Sequence, residues 1–173
     1  MPLDNIRYND YIPFMDSTVR QVAKGRGECE AGGGPEQDVF LGVLKTADVL
    51  QAELAAVLKP ADLSATQYNV LRILRGAGDE GMACGRITER MLTHDPDMTR
   101  LLDRLEKRGL ITRGRDAGDR RVVRARITAT AGKLLAGLDE PVARLHRTQL
   151  GHLGRRDLKS LAELLRRARE RAP

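Results

Sequence analysis

The side chains with chemistry to offer in this sequence are mostly guanidinium groups, and they cluster. Residues 100–126 hold ten Lys/Arg against four Asp/Glu, and residues 144–171 hold nine against three, a local excess of six in each case. The whole 173-residue chain carries only +6, so everything outside these two stretches is acidic by six. Two basic patches on an otherwise acidic chain suit a polyanionic partner, most often nucleic acid. A solvated charged face is the alternative that charge alone leaves open. Arginine's planar fork can pair bidentately with guanine or hold a phosphate. The other reactive types do not converge. There is no Gly-rich phosphate loop, no His-Glu-x-x-His and no Gly-x-Ser-x-Gly. His94, His146 and His152 are too scattered to ligate a metal. The expectation is a protein that is not an enzyme and needs no metal or cofactor.

The elements that must position those arginines read as follows. The composition is 41% hydrophobic, enough for one real core. No run approaches the ~20 apolar residues of a membrane span, and the N-terminus has no basic-then-apolar signal pattern. A cytoplasmic location without membrane attachment is expected. Cys29 and Cys84 are too few for a disulfide framework. Residues 1–35 form an arm: Gly32-Gly33-Gly34-Pro35 is loop punctuation, yet Tyr8, Tyr11 and Phe14 are three of only five aromatics. From Pro35 the period is helical. Phe40, Val43, Leu44, Ala47, Leu50, Leu54, Val57 and Leu58 mark one long amphipathic helix ended by Pro60. Ser64 and Gln67 form a capping box opening a second helix, with Val70, Leu71, Ile73 and Leu74 on its buried side. A short helix is expected over about 85–91 and another over about 96–108, closed by Gly109.

After Gly109 the period changes from 3.6 to 2. Residues 110–115 and 121–127 alternate and are rich in β-branched types, and Asp116-Ala117-Gly118-Asp119 between them reads as a hairpin turn. Two further helices follow, lined by Leu134, Leu138, Val142 and Leu145 and by Leu158, Leu161, Leu164, Leu165 and Ala168. A helix-turn-helix followed by a basic two-stranded ribbon is a winged helix. The fold class is therefore mainly α with a small β-wing. A winged helix-turn-helix domain over 61–128 sits beside a helical dimerisation region made of 36–60 and 129–173. The stripes of residues 40–58 and 158–168 exceed what a small winged domain can cover, which argues for a homodimer.

In this geometry Met98, Leu101, Leu102 and Leu105 face inward, and the second helix of the pair lies in the major groove. The candidate DNA-contacting residues are Asp97, Thr99, Arg100, Arg104, Lys107, Arg115, Asp119, Arg120 and Arg121. Asp119 can fix the fork of an arginine, with Arg121 two residues along the same strand face as its partner. The remaining arginine at the tip then meets phosphate or a narrow minor groove.

Leu63-Ser64-Ala65-Thr66-Gln67-Tyr68, residues 99–111 (Thr-Arg-Leu-Leu-Asp-Arg-Leu-Glu-Lys-Arg-Gly-Leu-Ile), Asp119-Arg120-Arg121 and Ile127-Thr128 occur in that order. Over residues 38–170 the chain thereby resembles the multiple-antibiotic-resistance regulator (MarR) family of bacterial transcription factors. The resemblance implies a homodimeric winged-helix repressor or activator on double-stranded DNA. Its first and last two helices would form the dimer, and many members release DNA when a small phenolic or lipophilic ligand binds. Two departures stand out. The usual Ser/Thr-rich start of the recognition helix is here Thr93-His94-Asp95-Pro96-Asp97, and Gly132 falls one place late after Ile127-Thr128. Asp95 reads as an N-cap with Pro96 at the first helical position, and Asp97 as an acceptor for a cytosine amino group.

For a small aromatic ligand, Tyr8, Tyr11 and Phe14 can supply stacking while Arg72 or Arg75 holds a carboxylate. The same aromatics read equally as an arm clasping the dimer. A redox-sensing regulator built on Cys29 or Cys84 is a further reading. So is a winged-helix protein-interaction or architectural module with no specific operator. The sequence leaves all of these open.

Overall fold

The computed structural model describes residues 34–91, 97–116 and 118–170. The chain falls into two compact units, residues 1–45 and 46–173. In the first unit, residues 34–45 form the opening turns of α1 (Pro35–Leu58), where Glu36 and Asp38 complement the helix dipole. There Val39, Phe40, Val43 and Leu44 stay 43–63% exposed.

The second unit holds the core. It begins with the last turns of α1, whose Leu58 is fully buried, and a single 3₁₀ turn at Lys59–Ala61. Pro60 has no N–H to donate to the Ala56 carbonyl and its ring would crowd that carbonyl, and α1 ends at Leu58. Then comes α2 (Ala65–Gly76), opened by the expected capping box. Ser64 Oγ accepts from the Gln67 amide at 3.1 Å, and the Ser64 amide donates to Gln67 Oε1 at 3.0 Å. Its buried side is Tyr68, Val70, Leu71 and Leu74; Ile73, expected there, is only half-buried. Next follow β1 (Met82–Ala83), α3 (Cys84–Arg90), α4 (Met98–Lys107), β2 (Ile111–Arg115) and β3 (Val123–Ile127).

The expected hairpin is present, but it belongs to a three-stranded antiparallel sheet of order β1-β3-β2. Ile111 pairs with Ile127 and Arg115 with Val123, and Met82 pairs with Ala125. Two residues are too few to show an alternating pattern, so β1 had no signature in the sequence. It is defined by its partner strand, and Gly81 makes the approach possible. Gly81 has φ +64°, and a Cβ there would run into the Ala125 carbonyl.

Leu58, Leu71, Leu74, Ile87, Leu102, Leu105, Ile111 and Leu135 are fully buried. Each such side chain contributes about 1.5–3 kcal/mol of transfer free energy. They join α4 to β2 within one core shared with α2 and α3, so the core itself orients α4. α5 (Ala129–Leu150) is capped by Thr128, whose Oγ1 accepts from the Ala131 amide and donates to the Gly109 carbonyl. Its core stripe is Ala131, Leu135, Leu138 and Val142. That stripe is rotated from the expected line, because Leu134 and Leu145 are only half-buried. In α6 (Gly154–Arg169) no residue is buried, and Leu161 and Leu164 are exposed. No helix among the described residues is long and apolar enough to cross a membrane.

Candidate nucleic-acid interface

Burial of Leu101, Leu102 and Leu105 leaves Thr99, Arg100, Arg104 and Lys107 exposed on the other faces of α4. The helix starts at Met98, two residues later than its pattern suggests, and its N-cap is Asp97. This corrects the assignment of that role to Asp95. The Asp97 carboxylate accepts from the Arg100 amide at 3.3 Å and lies 3.1 Å from the Arg100 Nε. A carboxylate already serving both the helix end and a guanidinium has less capacity to read a base. Its effect is to aim Arg100, whose side chain is 78% exposed.

The wing tip is organised by two aspartates. Asp119 Oδ1 accepts from the Arg121 amide at 3.0 Å and from its Nε at 3.2 Å, which is the expected pairing. The Arg121 side chain nevertheless remains 92% exposed, so the fork is oriented yet open to solvent. Asp116 received no role from the sequence. Its Oδ1 accepts from the Gly118 amide at 2.8 Å and the Asp119 amide at 3.3 Å, and its Oδ2 accepts from Arg124 Nε at 2.6 Å. The Gly118 amide first, and then the Arg124 guanidinium, hold the Asp116 carboxyl below the ordinary carboxylate range. An aspartate two residues before a glycine in a turn is a recognisable signal for this Asx-type arrangement.

The basic cluster is thus sorted by the fold. Arg113 binds Glu106 and Asp103. Arg124 donates to Asp116 and to the Gly81 carbonyl, and Arg126 to the Asp79 carbonyl. Arg108 donates to the Ala61 and Asp62 carbonyls. These four stabilise the domain, whereas Arg104, Lys107, Arg115 and Arg120 have no partner among the described residues.

The expected ligand and redox residues are described only in part. Tyr8, Tyr11, Phe14 and Cys29 lie outside the described residues. Arg75 is engaged bidentately by Asp139 at 2.9 and 2.8 Å, linking α2 to α5, and the bond raises its pKa. Arg72 lies over the Tyr68 ring, 5.8 Å from its centroid. Cys84 is half-buried, and burial pushes its thiol up, against the lowering influence of Arg113. A raised pKa leaves little thiolate at neutral pH, the opposite of what an oxidant sensor uses.

A helix-turn-helix joined to a three-stranded wing, with exposed cations on the second helix and the hairpin tip, defines a winged-helix transcription regulator. The MarR family model matches residues 63–123. A MarR transcription factor from Planctomyces limnophilus is 40% identical, with 79% of this chain and 98% of that one covered and a TM-score of 0.61. The HTH-type regulator FarR of Neisseria gonorrhoeae is 26% identical over 127 residues, covering 73% of this chain and 86% of FarR. The fold is shared with BpsR of Bordetella bronchiseptica, at 18% identity and a TM-score of 0.73, with 82% and 100% of the two chains covered. DNA binding by BpsR is regulated by 6-hydroxynicotinic acid. The chain belongs to the MarR family and is a transcription regulator, not an enzyme.

Proposed function

We propose that this regulator binds a pseudo-palindromic operator as a homodimer, represses transcription from it, and releases it on binding a small aromatic or lipophilic ligand. The observation that carries the DNA reading is the exposed face of α4, with Thr99, Arg100, Arg104 and Lys107, on the same unit as a tip presenting Arg115, Arg120 and Arg121. Asp97 and Asp119 hold one arginine each in an extended, outward setting. A surface that only needed solubility has no use for oriented forks, because an exposed ion pair stabilises by only ~0.2–1 kcal/mol. The winged-helix domain is residues 61–128, and residues 36–60 and 129–173 make the dimer. The exposed Val39, Phe40, Val43 and Leu44 on one unit, and Leu161 and Leu164 on the other, support this, since exposed apolar side chains at helical spacing suit association. The effect of 6-hydroxynicotinic acid on BpsR supports ligand release.

The test is a footprint on the DNA upstream of the chain's own gene, repeated with candidate aromatic acids. A symmetric protected region with half-site centres about 10 bp apart is expected. Uniform binding to all duplexes would favour an architectural role.

A further inference from the structure

Beside α4 the molecule has a hollow of about 760 Å³ whose walls come from three elements: the end of α1, the start of α2 and the outer side of α4. That volume falls within the range of small-molecule sites, roughly 300–1,000 Å³. Ala55, Ala56 and Leu63 supply apolar surface, and Lys59, Arg104 and Lys107 supply charge. These three cations are exposed and have no partner among the described residues.

One acid, Asp62, lines the hollow itself; its carboxylate is 92% exposed and lies 3.3 Å from the Arg108 guanidinium. Asp97 serves Arg100, and Asp103 and Glu106 serve Arg113. Arg108, also a lining residue, donates to the Ala61 and Asp62 carbonyls, so it shapes the wall instead of recruiting an anion. Ser64 Oγ accepts from the Gln67 amide and keeps its own proton for another acceptor.

We infer that this hollow is a site for a small phosphate monoester carrying an apolar group. Arg108 answers Asp62, which leaves Lys59, Arg104 and Lys107 as the net positive charge of the lining, and a multivalent anion balances that charge more fully than a single carboxylate. A phosphate monoester brings about −1.5 to −2 charge and three acceptor oxygens, and its organic group covers the alanines and Leu63. The phosphodiester backbone of DNA offers the same phosphoryl chemistry but one charge per phosphate and nothing apolar to fill the hollow. Because Arg104 and Lys107 are also proposed DNA contacts, the monoester competes with the operator. That regulatory consequence rests on the proposed DNA reading; the site itself does not.

The probe is phenyl phosphate, titrated calorimetrically into the full-length chain beside inorganic phosphate and phenol, with anisotropy of a labelled duplex followed in parallel. Phenyl phosphate should bind about tenfold or more tighter than either fragment, since both charge and apolar contact contribute. Lys59→Gln should weaken it roughly five- to tenfold, the loss of one charge-assisted contact, and leave duplex affinity within about twofold. Ala56→Glu, on an exposed helix face, should abolish phenyl phosphate binding. Excess phenyl phosphate should displace duplex from the wild type and less from Lys59→Gln. Equal affinity for inorganic phosphate, an adventitious ion only, would overturn the site, as would phenyl phosphate binding untouched by Lys59→Gln. If phenyl phosphate fails to bind while Lys59→Gln weakens duplex as much as Arg104→Ala, the hollow belongs to the DNA track and the proposal falls. Intact phenyl phosphate binding in a protein that binds no duplex would uphold the site and reject the DNA reading instead.

Discussion

Glu106 on α4 and Arg113 on β2 are joined by three hydrogen bonds. Glu106 Oε1 accepts from the Arg113 amide at 2.9 Å, and Oε2 accepts from Nε at 2.9 Å and Nη2 at 2.6 Å. Asp103, one turn earlier on the helix, accepts from the same Nη2. α4 and β2 are therefore tied side chain to side chain and side chain to backbone, by a guanidinium only 23% exposed. Arg113→Ala should lower stability by about 1–2 kcal/mol, more than an exposed pair because partly buried partners lose charge-assisted bonds. It should also weaken operator binding while leaving the salt slope unchanged, since Arg113 contacts no phosphate. A slope reduced by about one unit would make Arg113 a DNA contact after all.

Acid should loosen this tie and two others. The Arg113 side chain holds Glu106, the Gly118 amide and Arg124 hold Asp116, and the Arg75 side chain holds Asp139, all below the ordinary carboxylate range. A carboxyl whose pKa is lower folded than unfolded contributes stability that is fully present above the unfolded value, about 4. That contribution is lost as pH falls through the folded value. Tm should be flat from neutrality to about pH 5 and then drop. Glu106→Gln should start lower at neutral pH and drop less on acidification. An identical acid slope in wild type and variant would remove Glu106 from the account.

Two glycines separate backbone strain from steric collision. Gly81 and Gly109 have nearly equal φ, +64° and +67°, so alanine at either costs about 1–2 kcal/mol for the left-handed conformation. A Cβ at Gly109 meets nothing within 4 Å, whereas at Gly81 it strikes the Ala125 carbonyl. Chemical denaturation should therefore rank Gly81→Ala well below Gly109→Ala. Equal losses would mean that β1 can move away from β3 at little cost.

Helix and wing should divide recognition. Arg121→Ala at the exposed tip should weaken specific and non-specific duplexes alike and flatten the salt slope by about one unit. Arg100→Ala, removing the fork aimed by Asp97, should cost roughly 1–3 kcal/mol on the operator and relax one base position. Asp119→Asn should lose less than Arg121→Ala, because it only frees the guanidinium it orients. Circular dichroism of each variant checks the fold first. Base preference lost with Arg121 and uniform weakening with Arg100 would invert the division.

Association should depend on the exposed apolar faces. Leu164→Glu on α6 or a chain ending at Leu153 should be monomeric or aggregated in light scattering, because the apolar area that a partner covers is removed or charged. A clean dimer of the shortened chain would place the interface elsewhere.

Periodicity and turn chemistry are local, and they determined much of this protein directly from its sequence. The capping box at Ser64 and Gln67, the inward stripe Leu101-Leu102-Leu105, the hairpin around Asp116–Asp119 and the Asp119–Arg121 pair all lie within a few residues of each other. Short-range geometry dictates each of them, and together they state the winged-helix class. Tertiary structure decided what proximity across the chain decides. β1 exists only because Gly81 lets Met82 pair with Ala125. The α5 stripe is rotated because the core, not the helix alone, selects the buried face. The arginines show the same division. The candidate contacts left out Arg108, Arg113, Arg124 and Arg126, but what those four do instead depends on the acceptors that folding brings within hydrogen-bond reach. Arg113, Arg124, Arg126 and Arg108 met carboxylates or carbonyls from other elements. Arg104, Lys107, Arg115 and Arg120 met none among the described residues. Lys59, distant in sequence from the basic cluster, joined Arg104 and Lys107 around one hollow because α1 ends where α4's outer face begins.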